Sequence, residues 1–199
     1  MTETDIFYNM TYRCRGYSGR LVPEVENRRQ KPPNNKEFHP ERNTVGMKYE
    51  IVYLEEKTAV GISARTNNTD PDMGAVIGGL WKRFYSEGIY ARIPDKVNAK
   101  ALGIYTDYAG DEKSDYTTVV ACETSAEPDG KEFCICKIPA GPYAKFVIHG
   151  DMVQAVGAAW QEIWQMNLPR TFQCDFEEYQ DESMDHAEIH IYVGLKAGE

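Results

Sequence analysis

Asp72-Met73-Gly74-Ala75-Val76-Ile77-Gly78-Gly79-Leu80-Trp81-Lys82-Arg83-Phe84-Tyr85 has a counterpart in Asp151-Met152-Val153-Gln154-Ala155-Val156-Gly157-Ala158-Ala159-Trp160-Gln161-Glu162-Ile163-Trp164. Both run Asp-Met, four residues, Gly, two residues, Trp, three residues, an aromatic. Such an echo suggests a duplicated unit, although two copies are too few for a solenoid. Two equivalent units facing each other across a pseudo-twofold seam leave a cleft, and clefts bind ligands.

Each copy reads as a helix. Met73, Val76, Ile77, Leu80, Trp81 and Phe84 fall on one face at the i, i+3, i+4, i+7, i+8, i+11 spacing. Met152, Val156, Trp160 and Ile163 do the same in the second copy. Asp72 and Asp151 stand where a carboxylate can accept the free N–H groups of a first turn and meet the positive end of the helix dipole. Asp70-Pro71 offers the first helix an alternative start. Glu87-Gly88 closes the first helix, and Asn167-Leu168-Pro169 closes the second.

Outward from the helices the pattern turns to strands. Tyr49, Ile51 and Tyr53 alternate with Glu50, Val52 and Leu54, and residues 57–64 form a second extended piece. Residues 101–108 and 115–122 read as a hairpin around Ala109-Gly110-Asp111-Glu112-Lys113. After an acidic turn at Glu127-Pro128-Asp129-Gly130 the order repeats. Residues 133–138 and 143–149 read as strands, the second helix follows, and 170–179 with 187–195 form the last hairpin. Each half is strand, helix, strand, strand, with a further strand leading in. Helices lying on antiparallel sheets give an α+β class with a central cleft. The halves span about 47–125 and 131–197, within a domain of 47–199.

Residues 1–46 differ. Arg28-Arg29, Lys31-Pro32-Pro33-Asn34-Asn35-Lys36 and His39-Pro40 are polar, Pro-rich and aperiodic. They read as an arm or linker, with a short ordered piece around residues 6–17. A DNA-reading arm is the sharper alternative, but no helix-turn-helix pattern accompanies it.

Bulk properties exclude several classes. The 199 residues carry a net charge of −9, which argues against direct nucleic-acid binding and suits cationic ligands. No apolar run is long enough to cross a membrane, and the N-terminus has no secretory pattern. The expected compartment is the cytoplasm, and the odd count of five cysteines agrees with it. Cys134 and Cys136 share a strand face, which hints at a metal; buried reduced thiols are the plainer reading, and no metal or cofactor is expected.

Chemistry concentrates in the last hairpin. In Asp175-Phe176-Glu177-Glu178-Tyr179, alternation puts Glu177 with Tyr179 on one face and Phe176 with Glu178 on the other. Glu188, His190 and Tyr192 share a face opposite Ile189, Ile191 and Val193, the apolar side. Spacing alone leaves Glu177 either on a solvated face or at the floor of an aromatic pocket, where it would attract a cation helped by cation–π contacts.

The order of these pieces resembles the GyrI-like (gyrase-inhibitor-like) domain, the effector-binding domain of bacterial transcription activators. The resemblance runs from Lys48 to Lys196. Ile104-Tyr105-Thr106-Asp107-Tyr108 and Asp115-Tyr116-Thr117 carry it, with Ile138-Pro139-Ala140-Gly141-Pro142-Tyr143-Ala144-Lys145-Phe146. Gly157, Trp160 and Trp164 follow, then Phe176-Glu177-Glu178-Tyr179 and Glu188-Ile189-His190-Ile191-Tyr192-Val193. In the last strand Ile191-Tyr192-Val193 stands where the family commonly has a Pro.

The resemblance implies two tandem units around a cleft that takes small molecules, often cationic and aromatic, as in multidrug-binding members linked to transcription regulation. It places Glu177 in that cleft and makes Trp81, Tyr105, Tyr143, Trp160, Tyr179 and Tyr192 its aromatic candidates. Three functions follow as expectations. The first is a stand-alone protein that senses or sequesters its ligand. The second is a hydrolase with Glu177 as general base and Tyr179 or His190 as hydrogen-bond donor. The third is a module acting on a protein partner, gyrase or a separate regulator, or pairing as a homodimer.

Overall fold

The computed structural model describes residues 47–128 and 132–198. The arm at 1–46 and the tip of the acidic turn at Asp129-Gly130 lie outside the described residues.

The strands are β1 (Glu50–Leu54), β2 (Lys57–Thr66), β3 (Leu102–Thr106), β4 (Tyr116–Thr124), β5 (Cys134–Ile138), β6 (Gly141–Gly150), β7 (Arg170–Tyr179) and β8 (Ala187–Leu195). Helix α1 (Met73–Ser86) follows β2, a single turn α2 (Ile89–Arg92) follows α1, and α3 (Met152–Gln165) follows β6. The class is α+β as the sequence implies, but there is one sheet rather than several. All eight strands join it in the order β1-β6-β8-β7-β3-β4-β2-β5, and every pairing is antiparallel.

Read outward from the β3–β7 seam, the order is β3-β4-β2-β5 on one side and β7-β8-β6-β1 on the other. The connectivity β2–α1–β3–β4 thus has its counterpart in β6–α3–β7–β8. The lead-in strands are exchanged between the halves: β1 pairs with β6 and β5 with β2. Leu54 faces Gly141 and Lys57 faces Ile138, so one register continues through the breaks at Glu55-Glu56 and Pro139-Ala140. The two edge strands are successive stretches of one bent ribbon, which alternation within single strands does not reveal.

Both helices lie on one face. Leu80, Trp81 and Phe84 of α1 and Ala159, Trp160 and Ile163 of α3 are buried there with Val60, Val120, Phe146, Ile189 and Ile191. The other face holds Ala59, Leu102, Ile104, Val119, Cys136, Tyr143, Cys174, Phe176 and Tyr192. Cys134 packs against that second cluster, and the described cysteines are free thiols. Burial pushes the Cys136 thiol up to about 11. Cys136 is buried in that cluster and Cys134 is half-buried beside it.

The helix starts differ in their caps. Asp151 accepts hydrogen bonds from the N–H groups of Val153 and Gln154 at 3.1 and 2.9 Å. Asp72 makes no such bond. Instead the Asp70 side chain accepts from the Asp72 N–H and the Asp70 carbonyl accepts from the Met73 N–H, in a turn that leads into the helix; the helix itself starts at Met73, with the Asp72 carbonyl accepting its first bond from the Val76 N–H. Gly88 ends α1 in the left-handed region, φ 69°, where a side chain would be strained. It turns the chain so that Tyr90 meets Phe84, ring centroids 5.9 Å apart. Among the described residues no helix is long and apolar enough to cross a membrane.

Candidate functional site

The site begins with three acidic residues on β7, Asp175, Glu177 and Glu178, each with a different neighbourhood. Asp175 is fully buried and accepts from Arg170 Nη2 at 2.6 Å, Tyr108 Oη at 2.9 Å and the Gly194 N–H at 2.8 Å. Glu178, on the opposite face, accepts from Lys100 Nζ at 3.0 Å and Gln180 Nε2 at 2.7 Å. Burial pushes Glu178 up, but those two bonds together with the charges of Lys100 and Lys57 outweigh it, and its carboxyl ends below the ordinary glutamate value. Glu177 lies between them, 1% exposed, with no cation bonded to it among the described residues. Its Oε1 accepts from Trp160 Nε1 at 2.6 Å and Tyr105 Oη at 2.8 Å, and its Oε2 from Tyr179 Oη at 2.8 Å.

Three neutral donors stabilise the carboxylate, yet desolvation is the larger effect, and the Glu177 carboxyl is held above its ordinary value. The same burial, and the charge of Glu177 beside them, raise Tyr105 and Tyr179 well above the usual phenol value. Burial and then Glu177 push Tyr116 up to about 12. These phenols therefore stay protonated and act as donors.

Register explains the convergence. Gly103 on β3 faces Glu177, and Tyr105 faces Asp175. Positions 103 and 105 thus share the helix-side face with 175, 177 and 179. A Cβ at position 103 would lie 2.9 Å from Glu177 Oε2 and 3.4 Å from Trp81 Cζ2. The missing side chain makes the space in which the carboxylate lies. Trp81 meets Tyr179 edge-on at 4.9 Å, and Tyr105 meets Trp160 edge-on at 5.5 Å and Tyr116 at 5.6 Å.

Above this floor α1 and α3 stand apart and leave a cleft of about 920 Å³. Gly78 and Gly157, the matched glycines of the two helices, line it with Met73, Ile77, Met152 and Val156. Among the described residues Glu177 is the one carboxylate in the lining, and no Lys, Arg or His joins it. The volume lies within the roughly 300–1,000 Å³ typical of small-molecule sites.

Of the residues singled out in the sequence, Glu177, Tyr179, Trp81, Tyr105 and Trp160 are brought together around the cleft. Tyr143 and Tyr192 are not. Both belong to the buried cluster on the other face, where they flank Phe176 at 5.8 and 4.4 Å. Strand parity is the reason: Tyr192 faces Phe176, not Glu177, across the β7–β8 pairing. His190 faces Glu178 and is bonded to Glu188 at 2.9 Å. It cannot serve as a donor to chemistry at Glu177; of the two donors considered for a hydrolase, only Tyr179 is in place. Tyr116, Gly103 and Asn68 were missed. The β3–β4 register, in which Tyr105 faces Thr118, was the signal that could have placed Tyr116 beside Tyr105.

The profile of the integron-associated effector binding proteins (Cass2) matches residues 50–195, and the chain belongs to that family. An integron cassette protein from the mobile metagenome of Vibrio cholerae is 26% identical, with a TM-score of 0.62 over 76% of this chain and 97% of that one. SAV2435, solved with tetraphenylphosphonium bound, shares the fold at 22% identity, TM-score 0.63, over 76% of this chain and 95% of that one. So does a putative transcription regulation protein from Staphylococcus aureus MU50, at 23% identity and TM-score 0.61, over 76% of this chain and 100% of that one. No curated protein matches the chain by sequence.

Proposed function

We propose that the chain captures hydrophobic, aromatic cations in the cleft between α1 and α3, with Glu177 as their counter-charge. One observation carries this reading. Asp175 and Glu178 each have a cationic partner, and Glu177, between them and also buried, has only neutral donors among the described residues. An ionised carboxylate left without a counter-charge in a dry site is costly, and a cation entering the cleft relieves that cost. Trp81, Trp160 and Tyr179 offer ring surface to the same cation.

The family's effector-binding character supports small-molecule capture as the purpose of the cleft. Rings and methionines around an uncommitted charge suit several related compounds rather than one. The protein then acts as a cytoplasmic sensor or sequestering agent, and residues 47–199 carry the binding. That SAV2435 was solved with tetraphenylphosphonium makes this cation a natural probe. Calorimetric titration with tetraphenylphosphonium, neutral triphenylphosphine oxide and anionic tetraphenylborate tests the reading. The expected order of affinity is cation, neutral, anion. Tetraphenylborate binding as tightly as tetraphenylphosphonium would overturn it.

A further inference from the structure

The cleft does not end at its aromatic floor. A second, open hollow of about 500 Å³ adjoins it at the surface, lined by the half-buried Asn68 and Glu112 and by the exposed Thr69, Lys113, Gln161, Trp164 and Gln165. Asn68, Gln161 and Trp164 line both spaces, so they are contiguous. The two have opposite characters. The first is apolar around one buried carboxylate. The second is walled by amides and by one acid next to one base, whose charges offset.

Trp164 marks the passage between them. It is 38% exposed and stacks on the buried Trp160 with ring centroids 6.4 Å apart. Gln161 and Gln165 stand one helical turn apart on α3, on the same face. Neither amide has a hydrogen-bond partner among the described residues, and each can donate and accept. Asn68 fixes the far wall: its Oδ1 accepts from Tyr116 Oη at 2.7 Å and its Nδ2 donates to the Glu112 carbonyl at 2.7 Å.

We infer that the second hollow is a subsite for a neutral hydrogen-bonding group, and that the preferred ligand is an elongated amphiphile. Its hydrophobic cationic head rests over Glu177, its chain crosses Trp164, and an amide, hydroxyl or ether end meets Gln161 and Gln165. The aromatic cleft by itself is near the upper end of drug-sized pockets. A compact cation fills the floor and leaves the adjoining space to water. This inference rests on the proposed function, because it needs the head to be bound first.

The test uses three probes on the full chain by calorimetry: tetraphenylphosphonium, a triphenylphosphonium with a plain alkyl arm, and the same compound with the arm ended in a primary carboxamide. The amide arm is expected to bind about tenfold tighter than the alkyl arm, the gain of roughly one good hydrogen bond. Gln165→Leu, at a residue that lines only the second hollow, should abolish that advantage and leave tetraphenylphosphonium affinity unchanged. Equal affinity for the two arms, or an advantage that survives Gln165→Leu, would overturn this inference alone. Failure of tetraphenylphosphonium to bind at all would overturn both it and the proposed function.

Discussion

Glu177 is where stability and binding oppose each other. Its carboxyl is raised in the folded state above the ordinary glutamate value. The folded protein therefore holds this proton more tightly than the unfolded chain does. The stabilisation from that tighter hold is full below the ordinary glutamate value and is lost as pH rises through the raised one. Glu177→Gln removes the burden of a buried charge and keeps the side chain's shape. Urea denaturation should find the variant more stable than the parent at pH 8, with the gap closing toward pH 4. A gap independent of pH would mean that Glu177 does not titrate as described. Gly103 belongs to the same geometry. Gly103→Ala pushes a methyl against Glu177 Oε2 and Trp81, and overpacking of this kind costs about 1–3 kcal/mol. Its tetraphenylphosphonium affinity should fall at least several-fold, and an unchanged affinity would show that the carboxylate position is not critical. Glu177 and Tyr179 were legible as a pair because alternation is a local rule. Gly103 was not, since what it does depends on which strand lies across from position 177.

The elements were legible to the extent that their signals are local. The 3.6-residue period gave both helices and the two-residue period gave the final hairpin, β7 and β8, to the residue. The caps were harder, because two Asp residues at equivalent positions behave differently. Asp151→Ala removes two N–H bonds from the first turn of α3 and should cost about 1 kcal/mol. Asp72→Ala removes none and should stay within about 0.5 kcal/mol. Thermal unfolding of both variants checks the difference, and equal losses would contradict the cap assignment. Tyr143 and Tyr192 were misplaced for a related reason. Each sits on a correctly read strand, but the face it shows follows from pairing partners far away in sequence.

At the scale of the molecule, the eight strands among the described residues form one sheet whose edges are consecutive stretches of a bent ribbon. The sequence shows the order of elements and the echo between halves. It does not show that β1 and β5 change sides, because pairing between remote strands leaves no periodic trace. The cleft is a property of this scale: α1 and α3 supply its walls, and β3, β4 and β7 its floor. The family match covers residues 50–195, and the arm before it is expected to add little to this unit. Deleting residues 1–40 should lower the unfolding free energy by less than about 1 kcal/mol in urea denaturation. A loss of several kcal/mol would make the arm part of the fold.

Whether Glu177 serves as the counter-charge of a bound cation is decided most directly by a two-by-two titration: parent and Glu177→Gln against tetraphenylphosphonium and neutral triphenylphosphine oxide. A charge-assisted contact contributes about 1.5–3 kcal/mol, or about 10- to 100-fold in affinity. Glu177→Gln should weaken binding of the cation by that factor and leave the neutral compound nearly unchanged. Equal losses for the two compounds, or no loss for the cation, would contradict it and move the charge recognition away from Glu177.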